Sequence, residues 1–163
     1  MSNTSSDSRI NEILSLVSMR LSMMRDVAIW KYLHQIPVED KAREKIILED
    51  IRRRSEEKGL SERDISVVMA IFEDQIHVAR MMQTDWIKKM SNSDLTSPGS
   101  LDQQIRPKIH QITGQQLNLI FSQILSPEKS SESSDFDQIS ERHLSHLSPR
   151  YLSLLLQNLR KIF

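Results

Sequence analysis

The sequence predicts an all-α protein, a single-domain helical bundle with three long helices and a helical C-terminal extension. Glycine and proline are scarce, at 3 and 5 of 163 residues, and residues that favour helix are plentiful. Apolar residues recur at every third or fourth position over long stretches, which is the spacing of one helix face. We expect one domain over residues 8–163, divided into a three-helix core, 8–90, and a C-terminal helical half, 101–163.

Composition narrows the classes of partner. The chain has 22 basic and 22 acidic residues, so its net charge is zero and no overall field attracts nucleic acid. No apolar run reaches the roughly 18 residues of a membrane span. The N-terminal sequence does not read as an export signal, although a signal could have been removed. Without cysteine there is no disulfide or thiolate site, and the redox compartment stays open.

The first helix is predicted from Ser8 to Gln35, because Pro37 disfavours helix at the residue before it. Its inward face carries two cations, Arg20 and Lys31, at positions where aliphatic side chains belong. An unpaired buried cation costs several kcal/mol by rough estimate, so an anion should meet this face. The apolar stripe that contains them is Ile13, Val17, Arg20, Met24, Val27 and Lys31.

The second helix is predicted to begin near Pro37 or Val38, with Glu39 and Asp40 in its first turn, where the helix dipole favours acids. Lys58-Gly59 marks its C-terminal end. Its predicted apolar face consists of Ala42, Ile46, Ile47 and Ile51.

The third helix is predicted to open with Ser61 as N-cap and Asp64 three residues later. Gln83 is a polar amide in its otherwise apolar stripe. Ser91–Ser100 reads as a linker by composition. The stripe is Ile65, Met69, Phe72, Ile76, Ala79, Gln83 and Trp86.

A fourth helix is predicted from Leu101 or Pro107 to Leu125. The segment SPEKSSESSDFD, residues 126–137, reads as a second loop. One or two short helices should follow, with Ser148-Pro149 as an N-cap and first-turn pair. The inward residues of the fourth helix are Ile109, Ile112, Leu117, Ile120 and Ile124.

Several polar residues fall on these predicted inward faces, and cations outnumber acids among them. Each alone has an ordinary explanation: a salt-bridged core arginine, a surface pair one turn apart, or a satisfied core amide. Their joint placement favours a pocket for a small dianion, since the planar arginine fork donates to carboxylates in pairs. The set is Arg20, Lys31, Asp40, Arg43, Glu44, Gln83 and Arg106.

Metal and cofactor chemistry find no support in the sequence. The five histidines show no ligand spacing with acids or with each other, so surface histidines are the favoured interpretation. Neither a glycine-rich phosphate loop nor a Ser-His-Asp pattern can be assigned. We therefore predict no metal and no cofactor.

The order of several short motifs closely resembles the all-helical, AroQ-class chorismate mutases. The IPVED segment, the long third helix ending near Trp86 and the RPKI segment are similar to the exported, monofunctional gamma subgroup. The resemblance spans roughly residues 13–125. The motifs are Arg20-Leu21, Val27-Ala28-x-x-Lys31, Ile36-Pro37-Val38-Glu39-Asp40-x-x-Arg43-Glu44, Gly59-Leu60, Phe72-x-x-Gln75-Ile76 and Gln83.

The resemblance implies the Claisen rearrangement of chorismate to prephenate in aromatic amino acid biosynthesis. It implies that Arg20 and Arg106 each bind one substrate carboxylate, with Arg106 supplied by the C-terminal half. Lys31 and Gln83 would donate hydrogen bonds to the ether oxygen. Such a pericyclic reaction needs no nucleophile, metal or cofactor, only a compact bound conformer and stabilised charge. The residues implied to contact the ring hydroxyl and the carboxylate side are Asp40, Arg43 and Glu44.

Two positions depart from the family pattern. Ala79 stands where relatives commonly have Ser or Thr, and Ile47 where a polar residue such as Gln is frequent. We predict an active enzyme with a raised Michaelis constant. Because the amide of Gln83 donates at any pH, activity should be nearly flat from about pH 5 to 8, unlike relatives that need a protonated Glu there.

Two other functions stay open at this point. The same helical scaffold serves isochorismate pyruvate lyase, which product analysis would distinguish. A non-catalytic helical interaction module is the second, with the charges forming internal salt bridges. For the enzyme, chorismate is the expected partner, a homodimer is one expected assembly, and nucleic acid and membranes are not expected. The resemblance implies a periplasmic or secreted protein, with a cytoplasmic one left open.

Overall fold

The all-α prediction is confirmed by a computed structural model, which describes residues 4–91, 95, 99–126 and 133–163. Over those residues the chain forms helices and connecting segments, with no strand. None of the described helices is long and apolar enough to cross a membrane. The helices are α1 (Thr4–Ser22), α2 (Met24–Leu33), α3 (Lys41–Glu57), α4 (Glu62–Lys89), α5 (Arg106–Leu125), α6 (Ser133–Leu144) and α7 (Pro149–Leu159).

The predicted first helix, Ser8–Gln35, is wrong in its continuity, because the structure divides it at Met23 into α1 and α2. The Ser22 hydroxyl donates to the Met19 carbonyl at 2.7 Å, and such back-bonding bends helices. The Met23 amide then bonds the carbonyl of Arg20, only three residues back, at 3.3 Å. Arg20 thus lies at the end of α1, beside the bend.

The end of α2 is fixed by a left-handed residue that is not glycine. Gln35 has φ of 54°, and its amide bonds the carbonyl of Tyr32 at 3.3 Å. The amide of Ile36 bonds the carbonyl of Lys31 at 2.8 Å, which completes a Schellman motif. Pro37 follows, so the chain leaves the helix beside Lys31.

The second predicted helix begins later than expected. We predicted a start near Pro37 or Val38, but α3 begins at Lys41. Asp40 is its N-cap rather than a first-turn residue, and its carboxylate accepts from the Arg43 amide at 3.1 Å. A capping carboxylate satisfies an orphan amide, so residues 36–40 stay outside the helix.

The predicted apolar face of α3 is only half correct. Ile51 is buried and Ile47 packs against the core. Ile46 is 66% exposed, and Ala42 is exposed as well. Since α3 packs mainly against α4, the opposite side of α3 borders an open groove toward α5. The predicted stop is confirmed: Gly59 has φ of +83°, beyond the last turn of α3.

Helix α4 is the centre of the bundle and packs against α2, α3 and α7. Its predicted N-cap is confirmed, since the Ser61 hydroxyl accepts from the Asp64 amide at 3.2 Å. Ile65, Phe72 and Gln83 lie on buried faces of α4, so the predicted stripe does face the core.

A widened turn leads into α5. Residues Leu101–Ile105 form a π-helical turn, in which the Arg106 amide bonds the Leu101 carbonyl. Pro107 explains the widening, because it lacks an N–H and its ring crowds the carbonyl four residues earlier. The predicted end at Leu125 is confirmed. The turn sets the direction in which the side chain of Arg106 projects from the start of α5.

The C-terminal helices extend further than predicted. Helix α6 begins at Ser133, so the loop predicted for residues 126–137 is wrong over 133–137, while 127–132 lie outside the described residues. Phe136 explains the difference, since it is 2% exposed and packs 5.5 Å from the Phe163 ring. Residues 92–94 and 96–98 of the predicted linker also lie outside the described residues. Helix α6 packs on α1, and α7 packs on α4.

Candidate active site

A single cavity collects all seven polar residues predicted from the helix faces. It is a cleft partly open to solvent, with about 610 Å³ of empty space when the adjoining solvent is included. Helices α1 to α5 and the segment before α3 all contribute to its wall. The lining residues are Arg20, Met24, Val27, Lys31, Val38, Asp40, Arg43, Glu44, Ile47, Ile76, Ala79, Arg80, Gln83, Arg106 and Ile109.

Arg20 reaches the cavity from the last turn of α1 and is 4% exposed. One of its terminal nitrogens donates to Gln75 Oε1 at 3.5 Å. Its Nε is buried without a partner among the described residues. Burial lowers the pKa of Arg20 to about 10, so the guanidinium stays charged at neutral pH.

Lys31 lies in the last turn of α2 and is 6% exposed. Its ammonium donates to the carbonyl of Val38 at 2.7 Å. Burial lowers the pKa of Lys31, as do the charges of Arg106 and, more weakly, Arg43; Asp40 and Glu44 act in the opposite direction. The two neighbouring cations and the two neighbouring acids act on Lys31 in opposite directions. The charge of the Lys31 ammonium is therefore not compensated by a surplus of nearby carboxylates.

Arg106 and Asp40 face each other across the cavity mouth. One guanidinium nitrogen of Arg106 lies 3.9 Å from Asp40 Oδ2, and another lies 2.6 Å from Asp102 Oδ1. Asp102 is mostly exposed, and Asp40 is about half exposed. Such wet ion pairs contribute little to stability, so Arg106 is free to exchange partners for a ligand carboxylate.

Arg80 belongs to the cavity, and the sequence analysis missed it. Its Nε lies 3.1 Å from Glu44 Oε1 in an ion pair not aligned as a hydrogen bond, and its terminal nitrogen lies 3.1 Å from Glu39 Oε1. The missed signal was its position three residues before Gln83, on the same face of α4. Glu44 is therefore balanced by Arg80.

Gln83 presents its amide to the cavity from α4 and is 5% exposed. Its Nε2 donates to the Met24 thioether at 3.6 Å, a weak acceptor. Its Oε1 is buried and without a partner among the described residues. The amide is thus poised to form a stronger bond with a ligand oxygen.

Arg43 completes the cationic side. Burial and the neighbouring charge of Arg106 lower its pKa, while Asp102 and Asp40 oppose the shift. Within the described part of the chain, Arg43 forms no ion pair, and the same holds for Arg20 and Lys31. The cavity therefore holds three cations without a carboxylate partner.

Apolar side chains form the rest of the wall. Ala79 and Ile47, the two departures from the pattern of the family that the sequence resembles, stand in the lining. Over the described residues, no group of three or more histidine or acidic side chains is arranged to hold a metal ion. The arrangement suits an apolar ring that carries separated anionic groups.

Comparison with known proteins connects this geometry to a family. The model of the family described as chorismate mutase type II matches residues 5–84. A monofunctional chorismate mutase from Enterobacter agglomerans is 26% identical over 145 residues, which cover 88% of this chain and 75% of the relative.

Solved structures share the whole fold. A chorismate mutase from Burkholderia thailandensis superposes with a TM-score of 0.74 at 19% identity, covering 96% of this chain and 99% of the other. The secreted chorismate mutase from Yersinia pestis gives 0.73 at 20% identity, with 91% and 95% covered. At these identities the likeness speaks for the fold. Residues 5–84 match the type II chorismate mutase family model, and the curated relative extends the similarity to chorismate mutases over 145 residues.

Proposed function

We propose that this cavity binds chorismate and that the seven predicted residues carry its rearrangement to prephenate. The observation that supports it most is the cationic surplus: Arg20, Lys31 and Arg43 line the cavity without carboxylate partners in the described chain. Arg20 and Lys31 are buried; unpaired buried cations are costly, and a dianionic substrate would compensate them. Chorismate carries one carboxylate on its ring and a second on the enolpyruvyl side chain that the ether oxygen joins to the ring.

In this proposal Arg20 and Arg106 each bind one carboxylate of the substrate. Holding both ends folds the flexible substrate into its compact reactive conformer. The entropy cost of reaching that conformer is then met on binding, which lowers the activation free energy of the chemical step. The reaction breaks the ether C–O bond and forms a C–C bond within one molecule. No atom is gained or lost, so the chain supplies only position and charge.

Lys31 and Gln83 are proposed to meet the ether oxygen. Negative charge grows on that oxygen as the C–O bond lengthens, so the ammonium stabilises the transition state more than the ground state. Lys31 Nζ already donates to the Val38 carbonyl, and Gln83 donates only to a thioether. Both donors can therefore turn to the substrate at small cost.

The acids are proposed to bind the ring hydroxyl. Asp40 and Glu44 line the cavity beside Arg43 and accept hydrogen bonds. Arg43, the uncompensated cation on α3, is proposed to reach the carboxylate side. This assignment uses each polar group of the predicted set once.

The test is the loss of chorismate ultraviolet absorbance on adding purified protein, with the product identified by chromatography. Prephenate as the product supports the mutase. Pyruvate and salicylate from isochorismate would instead favour the lyase on the same scaffold. A folded protein that turns over neither compound would favour the interaction module.

The proposal extends to export and to self-association. The structural likeness to a secreted chorismate mutase supports a periplasmic or secreted protein, which fractionation of the source cells would test. A homodimer follows from the family resemblance, and light scattering would test it. Every cavity residue named above comes from one chain, so activity should not change on dilution of a dimer.

A further inference from the structure

A buried row of three polar side chains runs behind the cavity. It begins at Arg20 on α1, passes Gln75 on α4 and ends at Gln116 on α5, with exposures of 4%, 2% and 0%. Arg20 donates to Gln75 Oε1 at 3.5 Å, and Gln75 Nε2 donates to Gln116 Oε1 at 2.9 Å. Three helices thus meet at one hydrogen-bonded row in the core.

The direction of the row is dictated by its first member. A guanidinium can only donate, so Gln75 must turn its oxygen toward Arg20. The amide nitrogen of Gln75 then faces α5, where the oxygen of Gln116 accepts. Gln116 Nε2 is buried without a partner among the described residues, so the row ends there at a cost in stability.

We propose that Gln75, braced by Gln116, is a positioning residue that orients the guanidinium of Arg20 toward the ligand while leaving its charge uncompensated. This inference rests on the proposed function, since it assigns a purpose to the charge of Arg20. A neutral acceptor fixes direction but does not cancel charge. A carboxylate at the same place would form an ion pair with Arg20 and so weaken the binding of the substrate carboxylate by Arg20.

A second arginine of the cavity, the partly buried Arg80, supplies the contrast. Arg80 Nε lies 3.1 Å from a carboxylate, Glu44 Oε1, and is charge-balanced in the empty cavity. Arg20, by comparison, donates to an amide, and its buried Nε has no partner among the described residues. The two arginines therefore differ in the charge of their partner, and that difference separates a ligand-binding cation from an internally paired one.

The experiment compares Gln75→Glu, Gln75→Leu and Gln116→Leu with the wild type in steady-state turnover of chorismate and in thermal unfolding. Gln123→Leu is the matched control, because Gln123 is also a fully buried glutamine of α5 but donates to the Ile162 carbonyl, away from the cavity. The control should unfold at a lower temperature and keep the wild-type Michaelis constant.

Gln75→Glu should raise the Michaelis constant by about tenfold or more, with a smaller change in kcat, because it pairs with Arg20 in the free enzyme. Its melting temperature should equal or exceed that of the wild type. Gln75→Leu and Gln116→Leu should raise the Michaelis constant by smaller factors. A wild-type Michaelis constant in folded Gln75→Glu would overturn the proposal, as would an effect that follows melting temperature across all four variants.

A measurement without substrate separates this inference from the proposed function. Nitrogen-15 NMR of the Arg20 guanidinium should show hindered rotation in the wild type and faster rotation in Gln75→Leu and Gln116→Leu, but not in Gln123→Leu. Absence of turnover in the wild type would refute the proposed function alone. Unchanged guanidinium rotation in Gln75→Leu would refute the positioning role alone.

Discussion

The ammonium of Lys31 donates to the backbone carbonyl of Val38 at 2.7 Å. This bond joins the last turn of α2 to the segment that precedes α3, so one residue both lines the cavity and holds its rim. The neighbouring N-cap, Asp40, then starts α3, which brings Arg43 into the cavity lining. The residue that fixes the chain between α2 and α3 is therefore also one of the cations of the cavity.

Lys31→Ala should lower kcat for chorismate by about 10²–10³-fold, the usual loss when one charge-stabilising donor is removed. Because alanine also loses the bond to Val38, Lys31→Gln is the sharper variant: its amide can still donate to the carbonyl, but it carries no charge. Both should be equally impaired in kcat, measured by ultraviolet absorbance.

The control is Lys45→Ala, which removes an exposed lysine paired with Glu49 on α3 and should leave kcat unchanged. Near wild-type turnover by Lys31→Gln would show that the hydrogen bond to the rim matters and the charge does not.

The pH profile should be nearly flat from about pH 5 to 8, because the Gln83 amide donates at any pH. Above that range activity should fall as Lys31 loses its proton. Burial and Arg106 lower the pKa of Lys31 from its ordinary 10.5, so the alkaline limb should lie below that value. Initial rates of turnover across a constant-ionic-strength buffer series would measure both features.

Gln83→Glu should convert the flat profile into one that rises as pH falls, since only a protonated carboxyl can donate to the ether oxygen. A steep acid optimum already present in the wild type would contradict the role given to Gln83.

Periodicity predicted the bundle and the inward position of all seven polar residues, because burial follows helix spacing. It failed where local hydrogen bonds override spacing, as at the bend of α1 beside Ser22 and the N-cap Asp40. It also misplaced Ile46, since an apolar residue can border an open groove. Arg80 was missed because an arginine beside the stripe looks like surface until Glu44 is seen to face it.

Ala79→Thr should lower the Michaelis constant for chorismate with little change in kcat, because a hydroxyl there would bond a carboxylate in both ground and transition states. Ala79 lines the cavity and is 6% exposed. The buried hydroxyl lacks a guaranteed partner in the empty cavity, so the melting temperature should fall slightly. Steady-state kinetics measure the first effect and calorimetry the second.

Ile47→Gln, in the same lining, should act in the same direction, and the two changes should add if each contacts the substrate separately. A wild-type Michaelis constant as low as that of relatives with the hydroxyl would contradict this prediction.

Arg80→Met should raise the Michaelis constant several-fold, because it leaves Glu44 as an uncompensated carboxylate in the wall of a site for a dianion. The effect should weaken at high salt, which screens the repulsion. Steady-state kinetics at low and high ionic strength would measure it. Adding Glu44→Gln to the same chain should recover much of the loss. Arg53→Met, which breaks exposed ion pairs to Asp50 and Glu57, is the control and should change nothing.

Arg20→Met should abolish turnover yet leave the fold at least as stable as the wild type. Arg20 is 4% exposed and has no carboxylate partner in the described chain, so replacing it removes a buried charge that costs several kcal/mol by rough estimate. Gln75 Oε1 would lose the hydrogen bond that Arg20 donates to it. That loss offsets about 1–3 kcal/mol of the stability gained by removing the buried charge. Chemical denaturation and chorismate turnover, measured on the same preparation, separate the two effects. A stabilised Arg20→Met protein with wild-type turnover would favour an internal structural role for the cation, whereas stability gained together with activity lost identifies Arg20 as a residue kept for its ligand.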